Sequence, residues 1–468
     1  MSTPLAGAKQ LDIKLLVKWG ISVGIPLLIL SIPTNAVFVR EIRMFLVLSI
    51  ALILVVAFDL FNNMFIPAFL LPAGFYLTGT VPLNIAYGSW TQIVLYVIMA
   101  AFVLSAVLEE VGLLRRMAYW CILKFGGSYK GVYWGTFFAC MLVSMATFGN
   151  AYVLMSAFCY GICKALGLQK SKEAALIMMS GLVGTVTTRI FIWTPQKVGL
   201  IEAGVSTIIP NFTIPWSQLL LHMFPVALFC LGLLWLYSKL FKINNVSSAN
   251  GKEYFEQEYA KLGKMSITEK KAAFVLALLV IYLVTNPIHG YNVFYGFLLI
   301  VPLFFFPGIN VGTRESIRSV DFGMIFFVSS CLGIGTVGGY LGVGKILSDM
   351  LVPALQPFGP TVASLGILAF GILVNFILTP TAMLTALPGP LTQVALDLGM
   401  NPLPFMYCLL GSCDMIFLPY EYVPFLIFFS FGMMSLGDFV KLSVIKISLY
   451  FLLTLVVLIP LWNLLGIM

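Results

Sequence analysis

Charge is what this chain has least of: only 9% of its 468 residues are Asp, Glu, Lys or Arg. Long polar runs are missing too, and residues 242–269 form the one sizeable polar segment. A soluble domain needs a solvated exterior. A chain that is 60% hydrophobic, with a mean hydropathy of +1.03, cannot build one. Two histidines leave little material for a histidine metal cluster. No Walker motif, nucleophile elbow or zinc-ligand spacing occurs, so nucleotide-driven and hydrolytic chemistries have no foothold. The eight cysteines (121, 140, 159, 163, 230, 331, 408 and 413) fall in or beside apolar stretches and read as small packing residues. Gly333-Ile-Gly335-Thr-Val-Gly338 spells a G-x-G-x-x-G, but it lies inside an apolar span with no preceding strand. Close helix packing explains it better than a nucleotide.

What is present is apolar sequence in span-length pieces, which predicts an all-α polytopic membrane protein. Spans are expected near 15–32, 44–60, 64–81, 89–112, 174–200, 216–240, 271–287, 291–307, 320–341, 404–432 and 440–466. Two further apolar hairpins lie near 131–168 and 361–399. That makes about eleven crossings plus two re-entrant hairpins. The first span follows Lys9, Lys14 and Lys18 without a small-residue cleavage site, so it reads as retained. With the N-terminus in the cytoplasm and the C-terminus external, the 26 Lys and Arg fall almost wholly on the inner side. The exceptions are Arg40, Arg43 and Lys345 outside, and Arg189 and Lys197 within a span. Residues 242–269 then form a cytoplasmic loop.

The chain is organised around Gly131–Lys197. Two apolar arms flank Gly149-Asn150. The next span is interrupted by Gly184-Thr185-Val-Thr187-Thr188-Arg189 and by Pro195. An arginine at mid-depth costs at least ~2.5–3.5 kcal/mol, so it must face protein, water or an anion. The second half repeats the order. Arms around Thr379-Pro380-Thr381 precede a span broken at Ser412-Cys-Asp414 and at Pro419-Tyr-Glu421. A mixed basic and apolar segment precedes each hairpin, at 113–124 and 344–355, and has the composition of a helix lying flat on the membrane. Inverted repeats with paired broken helices predict a secondary transporter whose site lies at the midplane.

At these motifs the sequence resembles the divalent anion:sodium symporter family of dicarboxylate and sulfate transporters. Gly149-Asn150-Ala151 and Thr379-Pro380-Thr381 stand at the hairpin tips, where that family carries Ser-Asn-Thr. Gly184-Thr185, Thr194-Pro195-Gln196, Ser412-Cys413 and Pro419 echo its broken spans. The resemblance implies a homodimer with an elevator mechanism. Residues 1–112 and 270–342 would be scaffold, and 113–241 and 343–468 the moving transport parts. Taken with the mid-span charges read above, it points to a small anionic substrate held by Gly149, Asn150, Thr185, Thr188, Arg189, Thr379, Pro380, Thr381, Ser412 and Glu421. It also implies sodium as coupling ion, with Ser144, Asn150, Gly184, Thr379 and Asp414 as candidate ligands, in the plasma (inner) membrane. Pro380 replaces the family's second-tip Asn, and Asp414 and Glu421 add mid-span carboxylates, so sodium, protons and exchange all stay open.

Arg189 has two readings: an anchor for the substrate, or a structural partner for Asp414 or Glu421. Lys197 reads as a rim residue and His222 as a packed or hydrogen-bonded one. An integral-membrane enzyme would need a nucleophile and base, for which only Asp414 and Glu421 qualify. A channel would need a continuous polar file. No cofactor is expected.

Overall fold

The computed structural model describes residues 13–35, 38–58, 60–61, 65–126, 128–241, 251–376 and 378–468. Lys9 and residues 242–250 of the expected cytoplasmic loop lie outside them. The principal helices of the first half are α1 (Ile13–Ser31), α2 (Arg40–Ala57), α3 (Phe65–Leu77), α4 (Ile93–Glu110), α5 (Leu113–Phe125), α6 (Tyr129–Ala146), α7 (Tyr152–Ala165), α8 (Lys172–Thr185), α9 (Leu200–Val205) and α10 (Trp216–Leu240). The second half holds α11 (Gly251–Lys261), α12 (Ile267–Val284), α13 (Phe294–Ile300), α14 (Phe322–Tyr340), α15 (Val343–Leu355), α16 (Gly359–Val374), α17 (Pro380–Ala386), α18 (Pro388–Asp397), α19 (Leu403–Ser412), α20 (Val423–Ser430), α21 (Leu436–Leu453) and α22 (Ile459–Leu464). Among the described residues there is no strand.

Among the described residues, five helical stretches are long and apolar enough to cross a bilayer unaided: 93–110, 216–240, 322–340, 436–464 and, in the first arm of the second hairpin, 356–374. The remaining expected crossings are shorter, interrupted or charged at one end, for identifiable reasons. α2 carries Arg40, Glu41 and Arg43 in its first turn. α8 has 14 residues, about 21 Å at 1.5 Å per residue, which is short of a ~30 Å hydrocarbon core. Lys172–Ile190 is completed by Pro195–Val205 across a 46° bend. α19 stops at Ser412 and the chain resumes as α20 after a turn at Pro419–Glu421.

The repeat is visible in backbone detail. α5 and α15, the segments expected to lie flat, each start from a left-handed glycine, Gly112 (φ +82°) and Gly342 (φ +69°). Each leads into a hairpin, α6–α7 or α16–α17–α18, and then into a central helix that breaks. Those central helices are the deepest parts of the molecule: every residue from Ala174 to Thr185 in α8 and from Leu403 to Ser412 in α19 is buried. A helix apolar on all sides belongs inside a larger bundle. One contiguous apolar core joins both halves, while Phe45, Phe75, Ile334 and Val337 make a smaller cluster between α2, α3 and α14.

The expected packing roles hold. All eight cysteines are buried and free. His222 Nδ1 lies 2.8 Å from the Tyr407 hydroxyl. The α14 glycines admit close neighbours, with a Cβ on Gly335 falling 3.3 Å from the Thr385 carbonyl oxygen.

Candidate anion site

The first tip is built by sharp backbone geometry. α6 ends at Ala146, and the turn passes through Phe148 (φ +50°) and Gly149 (φ +93°) before α7 begins. A Cβ on Gly149 would sit 2.6 Å from Arg189 Cδ. Glycine is thus required twice, for the left-handed φ and for the close approach of the arginine. Arg189 Nη1 donates to the Gly149 carbonyl at 3.3 Å and Nη2 to the Tyr422 hydroxyl at 3.4 Å. The guanidinium carbon lies 5.9 Å from the centre of the Tyr422 ring.

Donors outnumber acceptors here. Arg189 is 3% exposed, yet its Nε has no partner. Asn150 Oδ1 accepts from Gln196 Nε2, but Asn150 Nδ2 is buried without a partner. Ala151, the residue before α7, supplies no side-chain cap. A buried cation, an orphan amide and an uncapped helix N-terminus converge, and an anion is what such a set lacks.

The cavity beside them, about 60 Å³, is shared between the repeats. Asn150, Arg189 and Gln196 line it from the first, and Thr379, Thr381 and Tyr422 from the second. Phe102 of α4 and Phe327 of α14 close it with apolar surface.

The other expected residues have different partners. The Thr185 and Thr188 hydroxyls donate back to the Gly181 and Gly184 carbonyls, at 2.8 and 2.7 Å. They loosen the helix where it breaks. Ser144 Oγ donates to the Thr185 carbonyl at 2.8 Å. A Cβ on Gly184 would lie 2.5 Å from the Phe137 carbonyl oxygen, so that glycine serves packing of α8 on α6. Ser412 Oγ donates to the Leu409 carbonyl at 2.7 Å. Glu421 Oε1 accepts from the Leu418 N–H at 2.7 Å and caps the second break.

Two expectations need correcting, on the second tip and on Lys197, and one of the two readings of Arg189 falls away. The second hairpin's first arm ends at Val374, so Asn375 opens the turn. Thr379 instead caps α17, accepting from the Ala382 N–H at 3.3 Å, with Pro380 in the first position, where no N–H is needed. Arg189 pairs with neither Asp414 nor Glu421. Nor is Lys197 a rim residue: it is 1% exposed and its Nζ lies 2.8 Å from Asp414 Oδ1. Lys446 Nζ adds a hydrogen bond to the Asp414 carbonyl at 2.5 Å and sits 4.7 Å from the Phe425 ring centre.

Sequence reasoning missed Tyr422, Asn375 and Lys446. Asn375 Nδ2 donates to the Ser412 carbonyl at 2.7 Å, while its Oδ1 has no partner. A lone asparagine closing an apolar arm, and a lysine inside the last span, were the available signals.

A family model described as the sodium:sulfate symporter transmembrane region matches residues 13–468. The chain belongs to the sodium:sulfate symporter family. It is therefore a multi-pass membrane protein and a secondary transporter of small anions, not an enzyme. Among its relatives are the L-tartrate/succinate antiporters of Escherichia coli (strain UTI89 / UPEC) and of Shigella flexneri. Each is 24% identical over 419 residues, covering 85% of this chain and 84% of the relative. The Alcanivorax borkumensis YdaH transporter has a similar fold, with a TM-score of 0.53 at 15% identity over 97% of this chain and 98% of that one.

Proposed function

We propose that this family member exchanges small carboxylate anions of the di- or tricarboxylate kind across the plasma (inner) membrane, one inward for one outward. The observation that carries this reading is the buried Lys197–Asp414 pair bridging the two broken spans, beside the donor-rich tip at Arg189. A cation-coupled carrier needs oxygens waiting for its cation. Here Asp414 already holds an ammonium that cannot leave. With Lys197 offset by Asp414, Arg189 and Lys446 still leave the empty site with net fixed positive charge. Carrying that charge through a medium of low dielectric is expensive until an anion offsets it. The loaded form then moves and the empty form stays, which is exchange. That the relatives are L-tartrate/succinate antiporters agrees with this reading.

In this reading the substrate carboxylate sits on Arg189, Asn150 Nδ2 and the start of α7, while Thr379 and Thr381 offer hydroxyls from the other tip. Hairpins and broken spans move as an elevator against 1–112 and 270–342 in a homodimer, with the N-terminus cytoplasmic and the C-terminus external. A second reading, coupling to sodium or protons, is favoured by two buried oxygens without partners, Asp414 Oδ2 and Asn375 Oδ1. The test is uptake of labelled succinate or tartrate into proteoliposomes, preloaded or empty, with sodium and pH gradients imposed separately. Exchange requires internal substrate in every case. Accumulation into empty vesicles driven by either gradient would overturn it.

A further inference from the structure

A second cavity, about 220 Å³, lies away from the anion site between α5, α7 and α11. Its floor is one face of α7: Leu154, Ala157, Phe158 and Gly161 recur at i, i+3, i+4 and i+7. A Cβ added to Gly161 would meet nothing within 4 Å, so the groove is open there. Aromatic rings form the walls. Tyr119 of α5 lies 5.5 Å from Phe158 and 6.4 Å from Phe255 of α11, centre to centre. From Leu154 to Ile162 the α7 face runs about 12 Å, close to the ~15 Å depth of one leaflet's hydrocarbon.

One charge borders this apolar slot. Arg115 lines it, is exposed, and has no hydrogen-bond or ion-pair partner among the described residues. The neighbouring Arg116 is fully used, bonding Glu269 and the Leu262 and Gly263 carbonyls. Glu258 on α11 is held by Lys261. Lys124 and Lys164 at the ends of α5 and α7 lie over the Trp120 and Tyr160 rings, adding positive charge at the same cytoplasmic side.

We infer that this groove is a binding site for an anionic phospholipid of the cytoplasmic leaflet. Its phosphate sits on the Arg115 guanidinium and one acyl chain lies along the α7 face. An acyl chain supplies apolar surface of the right length, and a phosphodiester supplies the charge that Arg115 lacks. The lipid bridges the outer arm of the first hairpin to α11.

Native mass spectrometry of the purified full chain, delipidated and then titrated with phosphatidylglycerol or phosphatidylcholine, tests the site. The parent protein is expected to retain phosphatidylglycerol preferentially, one molecule per chain. Arg115→Gln should weaken that retention about five-fold or more, and Arg115→Lys should keep most of it. Gly161→Phe, which fills the groove and leaves the charge, should abolish retention with the anion site intact. Equal retention of both lipids, or undiminished phosphatidylglycerol retention by a folded Gly161→Phe, overturns the assignment. The readout is lipid mass, so it stands or falls separately from exchange.

Discussion

Removing the ammonium of Lys197 is the most informative perturbation this structure offers. The pair is 2.8 Å apart with side chains 2% and 0% exposed. At an effective dielectric of about 20, two unit charges at that distance attract by about 6 kcal/mol. Much of this offsets the cost of desolvating both groups, which is why buried pairs contribute little net stability. The asymmetric change is different. Lys197→Met leaves the buried Asp414 side chain without its ion-pair partner, and such a truncation costs roughly 3–5 kcal/mol. Asp414→Leu strands Lys197 at a similar cost. The double variant removes both charges from an apolar setting, and it should be far more stable than the sum of the single losses. Unfolding of the detergent-solubilised protein by denaturant, run as a double-mutant cycle, measures the coupling. A further consequence follows for ions. With the ammonium gone, Asp414 is left needing a counter-cation, so Lys197→Ala should become more stable as sodium is raised, while the parent does not respond. Single losses below about 1 kcal/mol, strictly additive losses, or a parent stabilised by sodium would refute the view that Lys197 stands in for a coupling cation.

Arg189→Gln should weaken substrate binding about ten- to a hundred-fold, from the loss of a charge-assisted contact worth ~1.5–3 kcal/mol; Arg189→Lys should recover only part of it, by calorimetry on purified protein. Gly149→Ala places a methyl 2.6 Å from Arg189 Cδ and strains a left-handed backbone by roughly 1–2 kcal/mol, so transport should fall with a raised substrate KM while the fold is retained. Tyr422→Phe keeps the ring beneath the guanidinium and loses one hydrogen bond, so its affinity should lie between those of the parent and Tyr422→Leu. The Arg116–Glu269 clamp should respond to acid. Burial pushes the Glu269 carboxyl up, but hydrogen bonds from Arg116 and the Ser266 N–H outweigh this and hold it below the usual carboxylate range. Its folded pKa lies below the unfolded one, so the clamp is at full strength above the ordinary carboxylate pKa and is lost as pH falls through the depressed value. Limited proteolysis of 251–265 should therefore accelerate in acid in the parent, and be fast and insensitive to acid in Glu269→Gln.

The sequence alone determined the elements, because their signals are local. Apolar runs of span length, and glycines and prolines at breaks, each act within a few residues. They placed α10 at its observed bounds and both hairpins within a few residues. They also marked Gly149, Asn150 and Arg189, since an arginine in an apolar span must be answered somewhere. What answers it was not legible. Asp414 and Glu421 were the visible acids, and a linear reading had no way to know that Lys197, 217 residues before Asp414, comes to lie against it. That pairing arises only when α8 and α19 pack as central helices and bring their two breaks together. In a low-dielectric interior, whichever cation arrives first in space takes the carboxylate. Tertiary packing thereby left Arg189 unpaired by any acid among the described residues and lining the cavity, with Tyr422 beside it. The second tip shows the same limit at short range. Thr379-Pro380-Thr381 is a polar break in sequence, but Pro380 is best accommodated inside the first turn of a helix, so the turn starts earlier, at Asn375. Local chemistry set where the chain can bend, and three-dimensional packing decided which buried charges meet and which one remains for a substrate.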